Sequence, residues 1–241
     1  MAASITHLVV GERVYKQFSN PELSTTVYGS FLAGCTIVDV QAFHNIDRRV
    51  THFVGRLDTD GENAYLKSCT NFLQELNFIL KTKWENLSPD DQAFVAGYLC
   101  HLAVDECWKE LSSIWFHNLN ITSYKDFPVH PDVMLTAFDF LSQKHLINPA
   151  KTFVALENIS IPDVFNHIPH EVFCRQWELI QEYVKSKGTF EDYVSMLKRA
   201  DKYTQQVQAE TERRFGLWGK AIELIEIGGG ELQFIQNATI R

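Results

Sequence analysis

The stretch Ser88–Phe116, SPDDQAFVAGYLCHLAVDECWKELSSIWF, reads as a helix around which the rest of the chain must pack. Ser88 suits a cap, Pro89 the first helical position, and Asp90 and Asp91 the first turn, where the helix dipole favours acids. From Ala93 to Val104 the only strongly polar side chain is His101, so nearly the whole circumference is apolar, as expected of a helix buried in a bundle. Phe94, Gly97, Tyr98, His101, Asp105 and Trp108 recur at steps of three and four and share one face. His101 and Asp105 therefore point the same way. An ionised carboxylate on such a face must be neutralised, because its burial alone costs several kcal/mol or shifts its pKa. Two readings stay open here: a metal ion held by imidazole and carboxylate at i and i+4, or a local hydrogen bond where the helix surfaces.

Composition bounds the rest. The chain has 241 residues, 45% of them hydrophobic, enough for a real core, and it is expected to form a single domain spanning 1–241. A formal net charge of -8, with no cluster of Lys and Arg, argues against a large nucleic-acid footprint. The N-terminus MAASITHLVV lacks the pattern of a secretory signal, and no stretch reaches the roughly 18 uninterrupted apolar residues of a membrane span. Cysteines 35, 69, 100, 107 and 174 are odd in number and scattered through apolar surroundings, which predicts reduced thiols and a cytoplasmic location. None forms a C-x-x-C pair, so nitrogen and oxygen ligands must hold any metal.

Outward from the central helix, Ile5–Phe18 is predicted as an amphipathic segment broken at Asn20-Pro21. A helix is expected around Val27–Leu32 in an apolar run that delivers Asp39. Polar residues from His44 to Arg49 read as an exposed turn before Thr51-His52-Phe53 resumes the apolar pattern. Asp58-Thr59-Asp60-Gly61 is a turn signal, and Asn63–Lys81 a further helix. Beyond Phe116 a looser region with Pro128 leads into a helical run from Asp132 to Leu146, and Phe153-Val154-Ala155-Leu156 fits a short strand or a helix turn. Glu171–Lys187 is helical, and Thr189 caps another helix with acids in its first turn. Gly228-Gly229-Gly230 would end the helical part and leave a less ordered tail. Strand alternation is nearly absent, so the fold class is all-α, a helical bundle.

Three apolar segments each deliver His or Asp: His7 from the first, Asp39 and His52 from the second, His101 and Asp105 from the central helix. Five hard or borderline ligands in 105 residues suit a zinc-type site. The three segments are an early His7, Phe31-Leu32-Ala33-Gly34-Cys35-Thr36-Ile37-Val38-Asp39 followed by Thr51-His52-Phe53, and Gly97-Tyr98-Leu99-Cys100-His101-Leu102-Ala103-Val104-Asp105. In order and spacing they resemble the zinc-dependent phospholipase C family, whose relatives include the S1/P1-type single-strand nucleases. The resemblance covers the half 5–116 and leaves 117–241 as a divergent helical half.

The resemblance implies a phospholipase C/P1 nuclease-like bundle built around a metal site. Asp39, His52, His101 and Asp105 resemble the ligands of one zinc; His7 and a bridging Asp105 resemble part of a neighbouring site. One or two Zn2+ ions, or other divalent metals, would then serve a phosphoesterase acting on a phosphodiester or a phospholipid head group, with Asp39 and Asp105 at the catalytic centre. Secreted members use a mature N-terminal tryptophan as a ligand, whereas this chain begins Met1-Ala2-Ala3. They also carry a His-x-x-x-Glu helix for another zinc; here His167-Ile168-Pro169-His170 reads as a solvated loop. His117, His130, His167 and His170 are the remaining nitrogens on offer, with His117 the nearest to the central helix. Arg48 and Arg49, lying between two ligand candidates, can instead meet a substrate phosphate. The competing class is a non-catalytic helical binding protein that keeps at most a structural metal. A phosphohydrolase of the HD type would need an adjacent His-Asp pair, and the sequence has none.

Overall fold

A computed structural model of the chain describes residues 4–18, 24–54, 67–118, 129, 131–186, 189–199, 217–227 and 230–240. The turn at Asp58-Thr59-Asp60-Gly61, Pro128, His130, the stretch 200–216 and Gly228-Gly229 lie outside the described residues. Among the described residues the chain is all α-helical, and strand pairing is limited to an isolated antiparallel bridge between Leu80 and Phe165.

The central pair is α2 (Thr25–Ile37) and α6 (Pro89–Asn118). Helix α2 is capped by Ser24, whose side chain accepts from Val27 N, and it is buried continuously from Tyr28 to Ile37. Ser88 Oγ accepts from Asp91 N at the start of α6, as its sequence predicts. The two helices cross with almost no space between their backbones. A Cβ on Gly34 would lie 2.1 Å from Phe94 O, and one on Gly97 2.0 Å from Phe31 O. Only glycine permits so close an approach.

Around this pair pack α1 (Ser4–Phe18), two short helices α3 (Val40–Phe43) and α4 (Arg48–His52), and α5 (Ser68–Ile79). The second half supplies α7 (Pro131–Ser142), α8 (Pro149–Glu157), α9 (His170–Lys185), α10 (Phe190–Leu197), α11 (Trp218–Ile227) and α12 (Gly230–Ile240). One apolar core runs from Ile5 to Ala238. Two buried carboxylates fix α1 within it. Asp139 on α7 accepts from Ile5 N at 3.1 Å, Thr6 N at 2.7 Å and Thr6 Oγ1 at 2.8 Å, satisfying the open N–H groups at the helix start. Glu12 accepts from Thr152 Oγ1 at 2.6 Å, Tyr28 Oη at 3.2 Å, and the backbone N–H groups of Ile147 and Asn148 at 2.6 and 3.1 Å. Helix α1 is thus locked to α2, α7 and α8.

Several local expectations meet their outcome here. The Thr189–Asp192 capping box forms. Phe153-Val154-Ala155-Leu156 belongs to α8 and not to a strand, since Pro149 and the Asn148 cap start a helix just before it. The segment after the glycines is also helical: Phe234, Ile235 and Ala238 of α12 are buried, so apolar packing holds what composition alone would leave loose. His44 is buried, against its reading as part of an exposed turn; its neighbours Asp47 and Arg49 are exposed.

Candidate metal centre

Helix α2 ends just before Asp39, and the short α4 brings His52 back to it. The Asp47 side chain accepts from Arg49 N at 2.8 Å and so starts α4. Phe53 stops it in the left-handed region at φ 56°, with Phe53 O accepting from Asn71 Nδ2 at 2.8 Å. A phenylalanine holds this conformation at a cost, and its ring packs against Phe72, Tyr98 and His167. The His52 position is thereby fixed from both ends. Helix α6 supplies His101 and Asp105 from its buried face, opposite Asp39 because Gly34 and Gly97 let the helices touch.

The fold gathers all five sequence candidates. His52 Nε2 stands 3.2 Å from Asp39 Oδ1 and 3.3 Å from Asp105 Oδ2. His101 Nε2 is 3.8 Å from Asp39 Oδ2. Donor atoms of Asp39, His52, His101 and Asp105 all lie within 4.8 Å of one another, and all four residues are buried. His7 approaches from the far side, with Nε2 3.5 Å from Asp105 Oδ1 and its ring stacked on His101 at 3.7 Å between centroids. It stands outside the four-residue group but shares Asp105 with it.

Hydrogen bonding sets the imidazoles for ligation. His101 Nδ1 is 2.9 Å from Cys35 O, a carbonyl that only accepts, so Nδ1 carries the proton and the neutral ring turns a bare Nε2 to the carboxylates. The Nε2 atoms of His7, His52 and His101 are all buried, and none has a hydrogen-bond partner. Three unmated nitrogens facing two carboxylates are what a cation between them would satisfy. The four residues can hold a metal ion.

Burial pushes the His101 imidazolium down to about 3, with His7 adding to the effect, so this ring is neutral near pH 7. Burial works to raise the Asp39 carboxyl, but His101 and His52 more than reverse it and hold it well below the usual range. Asp105 is likewise held low against its burial by neighbours that include His52, His7 and Arg48. Two carboxylates held below their usual range thus face the neutral His101 ring, with Arg48 paired to Asp105.

Arg48 is a neighbour that sequence reasoning left among several options. Its Nη2 donates to Asp105 Oδ2 at 2.6 Å and its Nη1 lies 3.7 Å from Asp39 Oδ1, while the side chain keeps 22% exposure. Arg49 turns the other way, pairing with Asp47 on the surface. Two adjacent arginines thus separate, one over the site and one in solvent.

Other nitrogens stand elsewhere. His167 is half-buried against Phe53, Tyr98 and Phe165, and so only partly solvated. His170 begins α9 with Nε2 2.8 Å from Ile161 O. His167 and Glu171 are four apart in sequence, yet α9 starts only at His170, so they do not share a helix. The side chain of His117 and all of His130 lie outside the described residues. Gln41 and Thr51, which touch Asp39 and His52, carried no sequence signal; their role depends on the α3–α4 fold-back. The five cysteines are free thiols, and no helix among the described residues is long and apolar enough to cross a membrane.

No family model, no curated protein and no solved structure matches this chain.

Proposed function

We propose that the chain is a metal-dependent phosphoesterase, phospholipase C-like, acting on a phosphodiester or a phospholipid head group. The observation that carries the reading is the set of three buried, unmated Nε2 atoms around Asp39 and Asp105. Asp39, His52, His101 and Asp105 would hold one zinc-type ion, with His7 extending the donor set toward a second through Asp105. When bound, such an ion supplies a water of lowered pKa, near 7 for zinc, and positive charge for the developing phosphorane. The protein's own contribution is positioning. The Cys35 carbonyl holds the His101 ring, α4 fixes His52, and burial excludes bulk water from the donor atoms. Arg48, partly exposed and already beside both carboxylates, offers a fork of N–H donors to a phosphate oxygen.

One observation favours the competing reading, a non-catalytic interaction protein that keeps at most a structural ion. All four donors of the compact group are buried, and structural sites are closed whereas catalytic sites keep an open position. Metal content of the wild type and Asp105→Ala, followed by a screen of phosphodiester substrates on the loaded protein, separates the possibilities. Bound zinc lost in the variant, with hydrolysis in the wild type, supports the enzyme. Bound zinc without hydrolysis of any phosphoester supports the structural ion, and no zinc taken up by the wild type sinks the enzyme and leaves a metal-free interaction scaffold.

A further inference from the structure

Asp39 and His52 are joined by a second route besides the space between them. Gln41 Nε2 donates to Asp39 Oδ1 at 2.8 Å, Thr51 Oγ1 stands 3.0 Å from Gln41 Oε1, and the same hydroxyl stands 2.6 Å from His52 Nδ1. The polarity of this chain is fixed at its acidic end. An ionised carboxylate only accepts, so the Gln41 amide must turn its NH2 to Asp39 and its carbonyl oxygen to Thr51. The Thr51 hydroxyl has one proton. Its neighbours besides His52 are Gln41 Oε1 and, at 3.2 Å, Arg48 O, and both only accept. Turning the proton to His52 would set two oxygens against the hydroxyl lone pairs at close range. His52 Nδ1 must therefore be the donor, and Thr51 Oγ1 the acceptor.

We infer that Gln41 and Thr51 form a positioning relay that fixes the His52 ring with Nδ1–H on Thr51, leaving Nε2 as the metal-binding atom and tying its direction to that of Asp39. The inference rests on the proposed metal site and adds two residues to it. Gln41, Thr51 and His52 are all buried, so water does not compete for these bonds. An imidazole on a metal commonly gives its other N–H to an oxygen that orients it, and loss of such a partner weakens metal binding about 10- to 100-fold. The unusual element is that the orienting oxygen is itself oriented by a second ligand, so Asp39 and His52 are aligned together.

The test uses the whole 241-residue chain. Zinc affinity is measured by competition with a chromogenic chelator for the wild type, Thr51→Val and Thr51→Ser, with far-UV circular dichroism to establish folding. Thr51→Val keeps the shape and removes the hydroxyl; zinc binding about 10- to 100-fold weaker, restored in Thr51→Ser, is the expected result. Affinity equal to the wild type in folded Thr51→Val overturns the relay while leaving the metal site intact. If Thr51→Val does not fold, imidazole 15N NMR of the zinc-loaded wild type decides: a protonated His52 Nδ1 with Nε2 on the metal supports the relay, and zinc on Nδ1 overturns it. Wild-type protein that takes up no zinc removes the metal site and the relay together.

Discussion

Gly34 of α2 and Gly97 of α6 meet backbone to backbone, each beside a carbonyl oxygen of the other helix that a methyl group would strike: Gly34 against Phe94 O, Gly97 against Phe31 O. This contact decides how near Asp39 comes to His101 and Asp105. Five residues after Gly34 and four after Gly97, the chain places a carboxylate and an imidazole that face each other.

Gly97→Ala should therefore destabilise the fold and disturb the site together. The contacts are with rigid backbone, so relief requires the helices to move apart, and overpacking of this kind costs about 1–3 kcal/mol or more. Urea unfolding should show the loss, and chelator competition should show weaker zinc binding. Unchanged zinc affinity in a destabilised variant would separate the helix contact from the site.

The metal-free protein should lose stability on acidification through His101. Its folded pKa, about 3, lies below the ordinary value of 6.5, so between these values the unfolded chain binds the extra proton. Its contribution is full above about pH 6.5 and is lost as pH falls toward 3. One proton gives a slope of at most about 1.4 kcal/mol per pH unit. Urea unfolding across pH 4–7 should be flatter in His101→Phe than in the wild type.

Asp139 should act with the opposite sign. Burial pushes its carboxyl up to about 6 in spite of three hydrogen bonds from Ile5 and Thr6. The folded state holds the proton more tightly, so this contribution is present below about pH 4 and disappears as pH rises through 6. Asp139→Asn removes the titration but also sets an amide against backbone donors. Its stability deficit relative to the wild type should therefore be larger at pH 4 than at pH 8, as read by thermal unfolding.

The two arginines should part in function as they do in space. Arg49→Ala should leave folding stability essentially unchanged, because an exposed pair with Asp47 is screened by water. Arg48→Ala should weaken inorganic phosphate binding to the zinc-loaded protein by about 10- to 100-fold, the scale of one charged hydrogen bond. Urea unfolding measures the first, and isothermal titration with phosphate the second. Equal phosphate affinity in wild type and Arg48→Ala would remove Arg48 from any role in anion binding.

His101 and Asp105 were legible in the sequence because both sit on one helix, where a spacing of four residues fixes a common direction whatever the rest of the chain does. The same local physics announced the Ser88 and Thr189 caps, since a cap depends on residues only three positions away. His7, Asp39 and His52 were legible as polar groups that apolar segments carry, which marks them as needing a partner without naming one.

Everything that depends on two segments meeting was decided by tertiary structure. The sequence shows Gly34 and Gly97 but not that they touch; it shows Arg48 and Arg49 side by side but not that one faces two carboxylates and the other solvent. Gln41 and Thr51 carry no pattern at all, because their meaning arises only when α3 and α4 fold back beside Asp39. Buried His44 and the packed α12 were misjudged from polarity and glycine content for the same reason: burial is set by the neighbours that long-range packing brings, and a local window does not contain them. Helix periodicity is a property of one segment, and the sequence determined it; convergence of donors on a common point requires fixed distances between segments, and only the packed fold supplies those.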